Sequence, residues 1–135
     1  MAQNEDLVRR GYEAFGAGDM ETLNSLMADD VVHEIPGNNR FTGEHKGRDE
    51  LMTLYSQLFQ VSGGTYRADL VSIEERGDNQ VVAMHRGTAE REGRRLDSDE
   101  TLTFTIEGGR ITRIESSFSP EDEAAEDAFW GLHPS

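Results

Sequence analysis

The hydrophobic period of this chain changes once, at Gly63-Gly64. Before that point apolar residues recur at three- and four-residue steps, in the series Leu7, Val8, Tyr12, Phe15, then Met20, Leu23, Leu26, Met27, then Leu51, Leu54, Tyr55, Leu58, Phe59. Such spacing lines one face of a helix. After it the period is two, in the segments 66–73, 81–90, 96–106 and 111–118, divided by the turn signals Gly77-Asp78-Asn79, Glu92-Gly93 and Gly108-Gly109. Helices first and consecutive strands afterwards predict an α+β domain: three N-terminal helices packed on one face of a strongly curved, mainly antiparallel sheet, a cone-shaped α+β barrel.

Local signals fill in the rest. Gly18 suits the end of the first helix and Asp19 the N-cap of the second. Residues 31–35 are β-branched and apolar around His33 and stop at Pro36-Gly37, which predicts a short strand, followed by a polar loop over 38–47. Residues 119–135 read as an acidic, solvated tail, in which Ala124, Ala125, Phe129 and Trp130 support one weak helical turn. All 135 residues make one domain.

Charge and composition remove several function classes. A net charge of −14 repels nucleic acid and anionic membrane surfaces. The absence of Cys removes disulfides, thiolate nucleophiles and thiolate metal sites. No apolar run approaches the roughly 20 residues of a membrane span and the N-terminus lacks a secretion signal, so a cytoplasmic protein is expected. His33, His45, His85 and His133 show no convergent spacing, and Gly16-Ala17-Gly18 joins helix to helix, so neither a metal nor a nucleotide cofactor is expected.

Tyr12-Glu13-Ala14-Phe15-Gly16-Ala17-Gly18-Asp19, Leu26-Met27-Ala28-Asp29-Asp30-Val31-Val32, Pro36-Gly37, Gly47-Arg48, Val81-Val82-Ala83-Met84-His85-Arg86, Glu107-Gly108-Gly109-Arg110-Ile111 and Phe129-Trp130 carry a likeness over about the whole chain. It resembles the nuclear transport factor 2-like superfamily, and within it the SnoaL-like group related to ketosteroid isomerases and polyketide cyclases. The steroid isomerase positions, carried over, fall on Ile35 for the base, Leu102 for the acidic donor and Gly11 for the tyrosine, with Tyr12 turned by about a hundred degrees from it. Aliphatic side chains supply neither base nor donor, so that reaction in its ordinary form is excluded. The aspartate–arginine triad of limonene epoxide hydrolases has no clear counterpart either.

The resemblance implies a conical pocket under the concave face of the sheet, with Val31, His33 and Ile35 inward on the first strand. Val81, Ala83, His85 and Gly87 follow, then Glu100, Leu102, Phe104 and Ile106, then Ile114, Ser116 and Phe118. His33, His85 and Glu100 are the convergent polar groups of an otherwise apolar face. A two-residue turn at Glu92-Gly93 sets His85 opposite Glu100, where the carboxylate would orient the ring and stabilise its imidazolium. A three-residue loop there would send Glu100 to the outer face. His85 is thus a candidate base oriented by Glu100, or else a packed core or specificity residue. Tyr12, His33, Ile35, Leu102, Phe104 and Phe118 are candidate ligand contacts, although a helix commonly spends its Tyr on the core. His45 and Lys46 lie where solvated polarity is the default.

These residues fit a small-molecule pocket protein, acting as an isomerase or cyclase by proton transfer on a hydrophobic carbonyl compound. A non-catalytic module for a lipophilic ligand and a purely structural dimer with a self-filled cone are the alternatives, and a pocket below the few hundred Å³ of ordinary ligand sites would favour the last. A homodimer is expected through the outer sheet face, which would carry Thr101, Thr103 and Thr105 with Val82, Met84 and Arg86. In the hairpin between Ile106 and Ile111 a three-residue loop with Gly109 left-handed would form a bulge and pair Leu102 with Ile114 and Glu100 with Ser116.

Overall fold

The Asp19 carboxylate accepts the Thr22 backbone N–H at 3.1 Å and so starts the second helix directly after the first. The computed structural model describes residues 3–132. Its elements, in chain order, are α1 Gln3–Ala17, α2 Met20–Ser25, β1 Met27–Ile35, β2 Gly43–Lys46, α3 Arg48–Val61, β3 Arg67–Arg76, β4 Gln80–Arg91, β5 Arg94–Glu107, β6 Arg110–Ser117 and α4 Pro120–Trp130. Six strands form one curved, unclosed sheet in the order β2-β1-β6-β5-β4-β3, with β1 parallel to β6 and the other neighbours antiparallel. The α+β arrangement expected from the change of period is therefore present. The apolar stripes of α1 and α3 are buried through Val8, Leu51, Leu54 and Tyr55 against Val31, Val81, Ala83 and Ile114 of the sheet. Among the described residues no helix is long and apolar enough to cross a membrane.

Four expectations are corrected. Met27 belongs to β1, where it pairs with Ile111, because the helix before it stops at Ser25 and hands Leu26 and Met27 to the sheet. The supposed loop holds β2, whose Gly43-Glu44-His45-Lys46 pairs with residues 32–35 although it carries no apolar alternation. It is an edge strand, and charged side chains on an edge discourage further pairing. The tail is an eleven-residue helix whose Ser119 hydroxyl caps Asp122 N–H and whose Pro120 sits in the first turn, with Phe129 and Trp130 buried. His133 lies outside the described residues.

The fourth correction concerns the hairpin after β5. Gly108 and Gly109 form a two-residue turn with φ of 59° and 77°, pairing Ile106 with Ile111. The extra residue sits one step further on, at Thr112, whose hydroxyl donates to the Thr105 carbonyl at 3.2 Å. Beyond it Phe104 opposes Ile114 and Leu102 opposes Ser116, so the inward faces match after all. The positive φ expected of Gly109 is found, whereas the loop length and the partner pairs differ.

At the β4–β5 hairpin Glu92 and Gly93 adopt φ of 50° and 78°, a tight turn that pairs Arg91 with Arg94 and His85 with Glu100. Glu92 is the one non-glycine residue with positive φ among those described. Asn tolerates that conformation better than Glu, so Glu92→Asn is expected to stabilise the fold by about 0.5–1 kcal/mol in urea unfolding. Phe129→Ala is expected to cost about 3–5 kcal/mol in the same measurement, as a core residue and not a tail residue would.

Candidate functional site

Between the helices and the sheet lies a cavity of about 120 Å³. Its wall is mostly apolar, from Val8, Phe15, Leu54, Leu58 and Ile114 among others. All eight residues singled out in the sequence line it: Tyr12, His33, Ile35, His85, Glu100, Leu102, Phe104 and Phe118. Ile35 and Phe118 are half-buried at the strand ends, while Leu102 and Phe104 are buried on β5. The volume is below the ~300 Å³ of ordinary ligand sites, which counts towards the self-filled structural cone, yet it is close to the ~150 Å³ of an apolar cavity that accepts benzene. The space fits one ring, not a steroid.

The polar groups form two arms that meet at Glu100. In the first, the Tyr12 hydroxyl lies 2.7 Å from His85 Nδ1, and His85 Nε2 lies 3.1 Å from Glu100 Oε1. A lone pair on Nε2 would face the carboxylate lone pairs, so the surroundings assign the proton to Nε2 and leave Nδ1 to accept from Tyr12 O–H. The Nε2 contact is close but off the N–H axis, so this buried atom has no well-aligned hydrogen bond. In the second arm His33 Nδ1 lies 2.8 Å from the Tyr55 hydroxyl and Nε2 2.8 Å from Ser116 Oγ. With Tyr55 donating, His33 Nε2–H donates to Ser116, whose hydroxyl in turn donates to Glu100.

Burial sets the charge states. It pushes the Tyr12 and Tyr55 hydroxyls well above their usual range, helped by the negative Glu100, so both remain O–H donors. It holds His33 down at about 4, against the opposing pull of Glu100. His33 is neutral in the folded chain and charged on unfolding in weak acid, so the stability it contributes is lost as pH falls from 6.5 towards about 4. Burial also pushes Glu100 up, but the close His85 ring, the Ser116 hydroxyl and the neighbouring His33 outweigh it, and its carboxyl sits below the usual range. An ionised carboxylate therefore stands inside an apolar cavity, beside two imidazoles and a hydroxyl.

Sequence reasoning missed three participants. Tyr55 belongs to the apolar stripe of α3 and reads as core, yet its hydroxyl reaches His33. Ser116 was read only as inward-facing. Glu126, read as part of a solvated acidic tail, is instead buried: Trp130 Nε1 donates to its Oε1 at 2.8 Å and Ser98 Oγ meets its Oε2. Glu126 is also among the residues that line the cavity. Burial pushes it up to about 7, with the nearby Glu100 charge adding to the effect against the Ser98 and Trp130 hydrogen bonds. The helical spacing of Glu126 with Phe129 and Trp130 is the signal that shows it faces inward. Tyr12 is neither a plain core residue nor a lone ligand contact, since its hydroxyl is spent on His85. His45 lies on β2, its Nε2 2.8 Å from the Phe41 carbonyl, away from both arms. Among the described residues no three His, Asp or Glu side chains converge as metal ligands do.

Known proteins match this chain along nearly its whole length. Uncharacterised proteins of Mycobacterium tuberculosis and Mycobacterium bovis are 35% identical over 125 residues, covering 93% of this chain and 94% of theirs. Bal32a, from a soil-derived mobile gene cassette, superposes with a TM-score of 0.92 at 38% identity over 96% of this chain and 97% of its own. TerC, co-crystallised with polyporic acid, shares the fold at a TM-score of 0.76 and 23% identity, over 87% of this chain and 92% of its own. Residues 8–114 match the SnoaL-like domain, and the chain belongs to that family.

Proposed function

We propose that this protein binds a small, largely apolar carbonyl compound in its cone and moves a proton on it, with Glu100 as the proton acceptor. The observation that carries the reading is an ionised carboxylate at the meeting point of two Tyr–His arms inside an apolar cavity. His85, the candidate base of the sequence, has its Nδ1 occupied by Tyr12 and its Nε2 proton facing Glu100. Its role here is to position Glu100, which leaves the carboxylate as the group with lone pairs to spare. Tyr12 O–H can turn from His85 to a ligand oxygen and donate to it as negative charge develops there, an interaction worth more in a dry site than in water. TerC, co-crystallised with polyporic acid, supports small-molecule binding in this fold. The cavity of about 120 Å³ favours a ligand of one ring.

Cyclohexanone is a suitable probe, because its size fits and its α hydrogens exchange with solvent when a base removes them. The protein is expected to accelerate deuterium incorporation from D2O, followed by NMR, and Glu100→Gln to lower that rate about 100-fold or more. His85→Ala is expected to lower it less, since it removes a positioning group. Binding without any exchange would leave the non-catalytic module as the better reading.

We also propose a homodimer through the outer face of β4 and β5, where Val82 opposes Thr103 and Met84 opposes Thr101, all half-buried in the single chain. Light scattering is expected to give twice the 15.1 kDa of one chain, and Thr103→Arg to return it to the single-chain value.

A further inference from the structure

α4 carries five acidic residues, Glu121, Asp122, Glu123, Glu126 and Asp127, and turns one of them, Glu126, into the cavity. Asp127, its neighbour, points away and accepts from the Asn38 backbone at 2.9 Å and the Asn39 amide at 2.8 Å. A carboxyl is the costliest polar group to bury, and Gln would satisfy Ser98 and Trp130 as well. Its position relative to Glu100 is set by one strand. Ser98, which holds Glu126, and Glu100 are two residues apart on the same face of β5, opposite Gly87 and His85. Two strand residues span about 7 Å. An α carbon, its carbonyl oxygen and a hydrogen bond at each end span roughly 8 Å at full stretch. Glu100 and Glu126 therefore line one cavity from neighbouring points along β5, where one enolisable ketone can meet both.

We propose that Glu126 is a catalytic acid facing Glu100 across the cavity, donating its proton to the carbonyl oxygen of a ketone whose α hydrogen Glu100 removes. This rests on the proton-transfer reading above. In the step, the Glu100 carboxylate takes the α proton, and the C–H electron pair becomes the carbon–carbon π bond of the enol. The carbonyl π pair takes the Glu126 proton. Glu100 ends protonated and Glu126 ionised; once the Glu100 proton has exchanged with solvent, reversal onto the same carbon resets both groups and gives exchange, and in a β,γ-unsaturated ketone delivery to the γ carbon of the dienol gives isomerisation. The environments separate the two acids as the chemistry needs: Glu100 is held ionised by His85, Ser116 and His33, whereas burial pushes Glu126 up to about 7. The titratable neighbours of Glu126 are Glu100 of β5, His85 of β4 and Tyr66 ahead of β3. Arg91 and Arg94, on the adjoining hairpin, are engaged with the Phe129, Trp130 and Ala128 carbonyls of α4 and not with its carboxyl.

The test uses the full chain, cyclohexanone and Glu126→Gln, with melting curves to confirm folding. Wild-type affinity, by NMR titration, is expected to weaken about tenfold from pH 6 to pH 8.5 as Glu126 loses the donated proton. Its exchange rate should show a falling limb above about pH 7. Glu126→Gln should bind with no such pH dependence and exchange about 100-fold more slowly at pH 6. Affinity and exchange in Glu126→Gln that match the wild type at every pH would overturn the proposal while leaving Glu100 as base. If Glu100→Gln exchanges normally, the base assignment fails, and the affinity difference between wild type and Glu126→Gln still decides whether Glu126 donates to the ligand. Absence of wild-type binding overturns both. Should Glu126→Gln not fold, Ser98→Ala serves, because losing that hydrogen bond must move the falling limb to higher pH; an unmoved limb overturns the proposal.

Discussion

Glu100 is a charge where the cone is otherwise apolar, and much of the arrangement around it follows from keeping it there. An isolated carboxylate in such a place would take up a proton. Here His85 and the chain from His33 through Ser116 hold it ionised, and each imidazole is fixed by a tyrosine behind it. Those tyrosines come from α1 and α3 and the other groups from β1, β4, β5 and β6, so the site ties the helical layer to the sheet. Loss of any one partner leaves a buried polar group unpaired, which is where such networks are least forgiving.

The charge and its Ser116 partner share the inner face only because two hairpins have the right count. The Glu92-Gly93 turn brings His85 opposite Glu100, and one more loop residue would have sent the carboxylate to the outer face. After the Gly108-Gly109 turn the sheet would be out of phase, and Thr112 absorbs the misfit. The strain of a non-glycine residue at positive φ sits at Glu92, the residue that keeps the first of these registers.

Membership in the SnoaL-like family settles the scaffold and leaves the chemistry to the side chains. By the resemblance, the positions of steroid isomerase chemistry fall on Ile35, Leu102 and Gly11, and the polar centre of this cone is assembled from other residues. Tyr12 reaches it from one residue along α1, and Glu126 reaches it from a helix that follows the last strand. The small volume points to a compact ligand.

The sequence by itself determined the order of elements, the α+β class and the inward set on the later strands. Periods of 3.6 and 2 report local geometry that each segment carries within itself. It also marked His33, His85 and Glu100, because polar residues at inward positions break an apolar alternation. Tertiary structure decided what local text cannot encode. β2 has no apolar alternation and exists because β1 offers an unpaired edge. Tyr55 looks like any core aromatic until β1 brings His33 to its hydroxyl. Glu126 looks solvated because acidic residues surround it in sequence, and it is buried because Phe129 and Trp130 dock α4 on the sheet and turn that one face inward. Burial, register and long-range pairing depend on residues far apart in the chain, and so does the charge state of every group in the cavity.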